Sequence, residues 1–533
     1  MAEIVLHQDM AAGAARYIPR TDATFRDWIA VLAGALGALM ATLDISITNA
    51  ALPQIQGAVG ATGTEGTWIS TGYLMAEIVM IPLAAWLSRV FGMRRFLLWN
   101  AGLFTLFSIM CGMSNSLPFM IIGRIGQGFT GGAMIPTAQT LVRTRLPPHQ
   151  MPTGMAIFGL IVIFGPLIGP AVGGWLTENL SWHWCFFVNV PVCAGLIALL
   201  TIGLPKQALR WNEFVQADWL GIGGLALGLS TLTVVLEDGQ RERWFESPMI
   251  ISLSIMAALG ITMLLVAQRT AIRPVIQLRL LLNRNFASVI LIVFTVGSAL
   301  VCISYLLPQF LAGVAGYNAS QSGSVLLLSG VPAVLLMPLL PMLLGKVDPR
   351  LMVTVGLLAF AGSCFLDTNL TTQTGQPEFF WSQILRGAGQ ILAMMPLNQA
   401  SMAAVAPEDA GDAAGLYNMA RNMGGSIGLA VLGIFIDRRN QAHLAHLRES
   451  VTANSVMGQE QIGARAANFL ATHSDAAHAK LQALGQLLQQ IKQQAVVMTY
   501  CESFFVLGIA LLLCLPLALL LKKSDTGDAY AGH

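Results

Sequence analysis

The sequence predicts an all-α integral membrane protein with fourteen transmembrane helices, and three observations predict it. Of its 533 residues, 55% are hydrophobic and only 11% are charged, where soluble domains carry roughly 25% charged residues. The apolar residues gather into fourteen runs long enough to cross a bilayer. The basic residues between those runs are dense on one side of the predicted membrane and sparse on the other. A soluble chain of this composition would have to give up most of its polar surface, whereas an apolar solvent removes that difficulty.

A helix needs about 20 apolar residues to cross the hydrocarbon layer. The runs lie near 28–52, 66–88, 95–113, 118–143, 152–177, 185–203, 217–236, 248–267, 286–309, 321–344, 350–368, 379–403, 413–436 and 497–521. An even number puts both chain ends on one side. With the N-terminus in the cytoplasm, the inside segments hold eighteen Lys and Arg residues, and the short outside loops hold only Arg241 and Arg243. That bias predicts both termini to be cytoplasmic. The first 27 residues lack the short apolar core and cleavage site of a removable signal peptide, so the first helix is expected to act as its own targeting signal. The seven cysteines all fall inside apolar stretches and are odd in number; they read as small buried hydrophobes, not a disulfide framework.

An internal repeat organises the chain. Pro136, Gln139, Pro147 and Gly165 recur as Pro396, Gln399, Pro407 and Gly425, each displaced by 260 residues. An even number of intervening spans makes the two copies parallel, and the period accommodates six helices plus two more, near 217–236 and 248–267. The expected division is a cytoplasmic tail at 1–27, a six-helix half at 28–205, two inserted helices within 206–284, a second six-helix half at 285–521, and a tail at 522–533. Parallel halves with a site between them at the midplane are a transporter architecture. The second half contains one long external segment, 437–496, with amphipathic ends marked by Leu444, Leu447 and Val451, then by Leu481, Leu484, Leu488 and Ile491. Two readings fit: a cap on the helix ends, or a periplasmic docking surface.

Several functions find no support in the residues. The net charge of +2 argues against nucleic-acid binding driven by global charge. No GxxxxGK[ST] loop occurs, since the Gly345–Lys346 pair is followed by Val347, so ATP is not the expected energy source. All eight histidines lie outside the spans or at their edges. No haem, intramembrane metal or other cofactor is therefore expected, and no nucleophile–base pair marks an enzyme. A secondary transporter is favoured over an intramembrane enzyme, a passive channel, or a receptor or scaffold without transport.

Charges within the spans narrow the site: Asp44, Glu77, Arg124, Arg386, Arg421 and Glu502. Each costs roughly 2.5–3.5 kcal/mol at the bilayer centre, so it is a functional candidate by default. Asn49, Gln127, Gln390 and Gln399 join them as uncharged polar candidates. At about 1.5 Å per residue, Asp44 lies about 12 Å deep, Arg124 about 9 Å, and Glu77 about 16 Å, near the midplane. Contact between Asp44 and Arg124 is geometrically possible. Burial opposes a charged carboxylate and a neighbouring arginine favours it; a conformational change that alters both would make Asp44 or Glu77 a proton carrier. The alternative is a structural ion pair, which has equal weight for Arg124 and is favoured for Arg421 and Glu502, nearer helix ends. Gly165, Gly169 and Gly173 fall on one face of the fifth helix beside Pro166 and Pro170, with Gly174 following. Small residues at this spacing let backbones approach, suiting either a rocking contact between halves or static packing.

These residues resemble a known family. The run Leu43-Asp44-Ile45-Ser46-Ile47-Thr48-Asn49-Ala50-Ala51-Leu52-Pro53 is similar to the first-helix signature of the fourteen-helix drug:proton antiporters of the major facilitator superfamily. Gly123-Arg124-Ile125-Gly126-Gln127-Gly128 resembles the fourth-helix motif, whose arginine is implicated in proton transfer. Gly159 through Gly174 resembles the antiporter motif, and Trp182-His183-Trp184 with Asn189 and Pro191 resembles the entry to the sixth helix. One departure stands out: Leu87-Ser88-Arg89-Val90-Phe91-Gly92-Met93-Arg94-Arg95 has Arg89 where the family loop places an aspartate, which puts that loop's charge-relay gate in doubt. EmrB-like exporters share such a basic replacement and a long loop before the last helix. The resemblance implies a major facilitator fold, proton-coupled export across a bacterial inner membrane, and small hydrophobic or amphipathic substrates. The intramembrane charges, with the fourth-helix motif for Arg124, point to Asp44, Glu77 and Arg124 for proton coupling, and the antiporter-motif glycines and prolines to conformational change. The resemblance also implies a tripartite pump with a periplasmic adaptor of the EmrA type and an outer-membrane channel of the TolC type. A dedicated exporter of a siderophore or fatty acid is the alternative within transport.

Overall fold

The computed structural model describes residues 22–271, 274–317, 319–450, 456–470 and 476–521. It is all-helical, and twelve of its helices among the described residues are long and apolar enough to cross a membrane. The first six spans are built from α1 (Phe25–Ala58), α2 (Trp68–Phe91), α3 (Met93–Gly112), α4 (Leu117–Gly131) with α5 (Met134–Arg145), α6 (Met151–Asn179), and α7 (Asn189–Gly203) after a helical turn at Trp184–Phe187. α8 (Trp219–Asp238) and α9 (Pro248–Thr270) follow. The last six spans comprise α10 (Arg284–Gly313); the broken span α11 (Ala319–Leu327), α12 (Gly330–Leu336) and α13 (Leu340–Lys346); α14 (Pro349–Leu366); α15 (Phe379–Ala403); α16 (Ala410–Ser450); and α18 (Ala476–Leu513), which is preceded by α17 (Val456–Leu470).

Local chemistry explains the ends and the breaks. Thr24 caps α1 by accepting from the Asp27 amide while Asp27 accepts from the Thr24 amide, a reciprocal pair that satisfies two otherwise free donors. Pro332, Pro338 and Pro341 interrupt the tenth span, because a proline lacks the N–H and clashes with the carbonyl four residues back. The fourth and twelfth expected spans are the two outside the apolar set. The fourth is divided between α4 and α5; the twelfth, α15, carries Gln383, Arg386, Gln390, Asn398 and Gln399. They are equivalent spans in the two copies of the repeat, and both are the polar ones.

The helix pairings repeat as well. In the first six spans, the first packs on the fifth (α1 on α6), the third on the fourth (α3 on α4) and the third on the sixth (α3 on α7). In the last six, α10 packs on α16, α14 on α15 and α14 on α18, which are the same three pairings. Glycine permits the first–fifth approach in both copies. A Cβ at Gly173 would lie 2.8 Å from the Ile47 carbonyl oxygen, and one at Gly424 would lie 3.0 Å from the Phe294 Cα. The antiporter-motif face of α6 therefore packs against α1 within its own half. Of this face, Gly165 meets Thr42, Gly169 meets Ser46 and Gly173 meets Ile47, because small side chains at i, i+4 and i+8 let the nearest helix in, while Gly159 of the same motif faces Met395 of α15 in the other half. Pro166 and Pro170 turn to the exposed side, and a Cβ at Gly174 would meet nothing.

The ends of the segment 437–496 are helical as expected, since α16 runs to Ser450 and α18 starts at Ala476, and α17 packs on α18. Leu481, Leu484 and Leu488 are exposed on this projection, whereas Ile491 is buried. Val451 lies outside the described residues. Of the seven cysteines, all are free and six are buried.

Candidate polar site between the helices

Asp44 on α1 and Arg124 on α4, expected at similar depths, meet. Arg124 Nη1 donates to Asp44 Oδ2 at 2.5 Å, and the side chains are 0% and 1% exposed. Nη1 also donates to Gln127 Oε1 at 3.0 Å, Nε donates to the Ile69 carbonyl at 3.2 Å, and the guanidinium lies 4.4 Å from the Tyr73 ring centroid. The other carboxylate oxygen accepts from Gln127 Nε2 at 3.0 Å and from Asn189 Nδ2 at 2.7 Å. Ser108 completes the network by accepting from Gln127 and Asn189 and donating to the Phe186 carbonyl. Breaking a buried pair of this kind typically costs about 3–5 kcal/mol, because the remaining charge is left buried without its partner.

Glycine sets the geometry. A Cβ at Gly128 would come within 2.9 Å of the Tyr73 Cα, and one at Gly132 within 2.7 Å of the Glu77 carbonyl oxygen. α2 therefore lies close against the α4–α5 break, which lays the Tyr73 ring over Arg124 and brings Glu77 one turn further along. Glu77 is 5% exposed. The charges acting on it are Arg421 on α16 and Arg124 on α4, so this carboxylate stands where the first and last six spans meet. Asp44 is held by three donors, whereas no hydrogen bond holds the Glu77 side chain among the described residues.

The other sequence-derived candidates scatter. Asn49 accepts from Ser70 at 2.9 Å near an exposed helix end. Gln127 joins the Asp44 network. Arg386 forms a buried ion pair with Asp367. Gln390 is half-buried, and the Gln399 carbonyl oxygen is buried without a partner among the described residues. Glu502 pairs with Arg439 at 2.5 Å and His443 at 3.0 Å, tying the projection to α18 as a structural contact. Arg421 lies in α16, which starts at Ala410, and its charge acts on Glu77.

Arg89, in the last turn of α2 and in the stretch that departs from the family pattern, bonds Asp412 of α16 at 2.8 Å, and Gln277 donates to the same carboxylate oxygen at 2.9 Å. Nearby, Asn418 of α16 donates to Gln139 of α5 at 2.7 Å. The two sets of spans are thus tied at the end of the bundle where the described chain begins. A cavity of about 570 Å³ opens beside this tie, lined by Arg89, Arg145, Arg210 and Glu408 among others. Sequence reasoning missed Ser108, Tyr73, Asp367 and Asp412 as site residues; it reached Asn189 only through the family pattern. Asp367 and Asp412 sit at the edges of apolar runs, where an acidic residue looks like a loop residue.

The sequence profile of the Major Facilitator Superfamily matches residues 34–429. The colistin resistance protein EmrB of Acinetobacter baumannii is 30% identical over 482 residues, 90% of this chain and 94% of that protein. The multidrug export protein EmrB of Escherichia coli is 30% identical over 496 residues, 91% and 93% of the two chains. The fatty acid resistance protein FarB of Neisseria gonorrhoeae is 28% identical over 510 residues, 93% and 96%. In fold, the chain is similar to the proton:xylose symporter XylE, with TM-score 0.58, 13% identity, and coverage of 93% of this chain and 96% of that one. It is also similar to the human organic anion transporter MFSD10, with TM-score 0.56, 14% identity, and coverage of 91% and 99%.

Proposed function

The chain belongs to the major facilitator superfamily as a multi-pass membrane transporter and not an enzyme, and we propose that it exports drugs or other hydrophobic or amphipathic compounds in exchange for protons. The observation that carries this reading is the pairing of a locked carboxylate, Asp44, with an unlocked one, Glu77, that lies between guanidiniums from both halves. Burial favours the neutral form of Glu77 and the guanidiniums favour its anion. A rocking motion that carries Arg421 away from α2 would therefore load a proton, and its return would release it. The transmembrane potential adds about 2.3 kcal/mol per charge per 100 mV to such a cycle. In this reading Asp44 and Arg124 hold α1, α2 and α4 as one body, the glycine face of α6 keeps α1 against it, and the Arg89–Asp412 tie closes one end.

The EmrB relatives support a drug substrate and an inner-membrane, tripartite setting, with an adaptor of the EmrA type and a channel of the TolC type docking on the projection formed by α16, α17 and α18. The termini would then be cytoplasmic, and the inserted pair α8–α9 would divide the halves within 206–284. The FarB relative supports a second reading, a dedicated exporter of fatty acids.

The test is a resistance and accumulation profile in a strain lacking its own efflux systems. Cells expressing the chain should accumulate less of a lipophilic cationic dye, and a protonophore should abolish the difference. Protection against long-chain fatty acids alone would select the second reading, and no change in accumulation of either probe would reject export.

A further inference from the structure

We propose that Asp367, Arg386 and Gln383 form a second protonation site, in the last six spans, at which Asp367 takes up a proton and Arg386 exchanges that carboxylate for the Gln383 amide oxygen. The group shares only its arginine position with the Asp44 network. Arg124 and Arg386 both lie in the fourth span of their copy, but Gln127 follows Arg124 by three residues and Gln383 precedes Arg386 by three, and Asp44 lies in a first span while Asp367 ends a third; residues three apart share a helix face. The two differ in how the arginine and the glutamine are satisfied, although Asn189 Oδ1 and the Tyr73 hydroxyl of the Asp44 network are also buried without partners among the described residues. Asp44 is held by Arg124, Gln127 and Asn189, and the Arg124 Nε has the Ile69 carbonyl. In the second group the Arg386 Nη2 bonds Asp367, but Nε and Nη1 of Arg386 and both polar atoms of Gln383 are buried without partners among the described residues. Arg386 is 5% exposed and Gln383 1%.

A buried polar atom without a partner loses as much as a broken hydrogen bond, so a pair serving only as a strut between α14 and α15 would be poorly built. The same atoms suit a two-state group. With Asp367 ionised, Arg386 holds it and Gln383 waits. With an O–H bond formed at Asp367, the guanidinium loses its counter-ion and the vacant Gln383 oxygen accepts from it instead. No other atom changes its bonding; the proton comes from water and returns to it. The titratable and charged groups facing Asp367 are Arg386 on α15, Cys364 on α14 and Cys501 on α18, and thiols are neutral at physiological pH, which leaves Arg386 as the dominant charge. Asp367 ends the apolar run of α14 and Arg386 lies seven residues into α15, about 10 Å from its start. Both are toward the end of the bundle opposite the Arg89–Asp412 tie.

The experiment is infrared pH titration of the full chain reconstituted in liposomes, which reads carboxyl protonation without any transported compound. Its failure is therefore separate from failure of the export reading. The wild type should show a protonated-carboxyl band that Asp367→Asn removes from the difference spectrum. Gln383→Leu, which leaves the ion pair intact, should need about tenfold more protons for the same band, one pH unit. An unchanged band in Asp367→Asn, with only a lowered unfolding temperature, would show a structural strut and overturn the proposal. Should Asp367→Asn fail to fold, a Gln383→Leu titration identical to wild type would overturn it equally.

Discussion

At the scale of single residues, the account separates two carboxylates that composition alone makes equivalent. Asp44 is saturated by three donors, and no hydrogen bond holds the Glu77 side chain among the described residues. Asp44→Leu leaves Arg124 buried without its counter-ion, so it should destabilise the fold by about 3–5 kcal/mol, seen as a lowered unfolding temperature in detergent. Glu77→Gln removes no hydrogen bond and should leave that temperature close to wild type. Much of this was legible in the sequence, because charge is scarce in an apolar chain and helix rise converts position to depth. That reasoning paired Asp44 with Arg124. It did not find Asp367, since an aspartate at the edge of an apolar run looks like the first loop residue, and it favoured a structural role for Arg421 because it placed that residue nearer a helix end.

At the scale of helices, glycine positions and one ionic tie determine how elements meet. Gly173→Leu would drive a side chain against the Ile47 carbonyl 2.8 Å from the Cβ position and should prise α1 from α6, abolishing export. Gly174→Ala, where a Cβ meets nothing, should leave export unchanged; both are read by dye accumulation in cells at matched expression. The sequence showed that the α6 face was made for close approach but could not name the partner, because periodicity reports a face and not its neighbour. The Arg89–Asp412 tie makes a sharper prediction. Arg89→Asp should impair export by setting two carboxylates together, and adding Asp412→Arg should restore at least part of it by remaking the pair with its charges reversed. The family's aspartate at this loop is thus replaced by a bond to an aspartate on the other half, an exchange visible only once α2 and α16 are seen side by side.

At the scale of the whole molecule, the repeat, the count of spans and the fold were legible, because hydropathy, loop charge and the 260-residue offset are properties of the whole chain. The projection was less so: its polar helices carry no membrane signal, and their continuity with α16 and α18 rests on contacts such as Arg439–Glu502. In a cysteine-free background, a cysteine at Leu481 should react with an impermeant thiol reagent from the periplasmic side, and one at Lys346 should not; the reverse pattern would invert the proposed orientation. The central claim, that export is coupled to protons through the carboxylates between α1, α2 and α4, meets its most direct test in proteoliposomes. Addition of a lipophilic cation to one side of the wild-type protein should drive a proton flux reported by a pH-sensitive dye, and Glu77→Gln should abolish that flux while still binding the cation. Undiminished proton flux in Glu77→Gln would contradict the account.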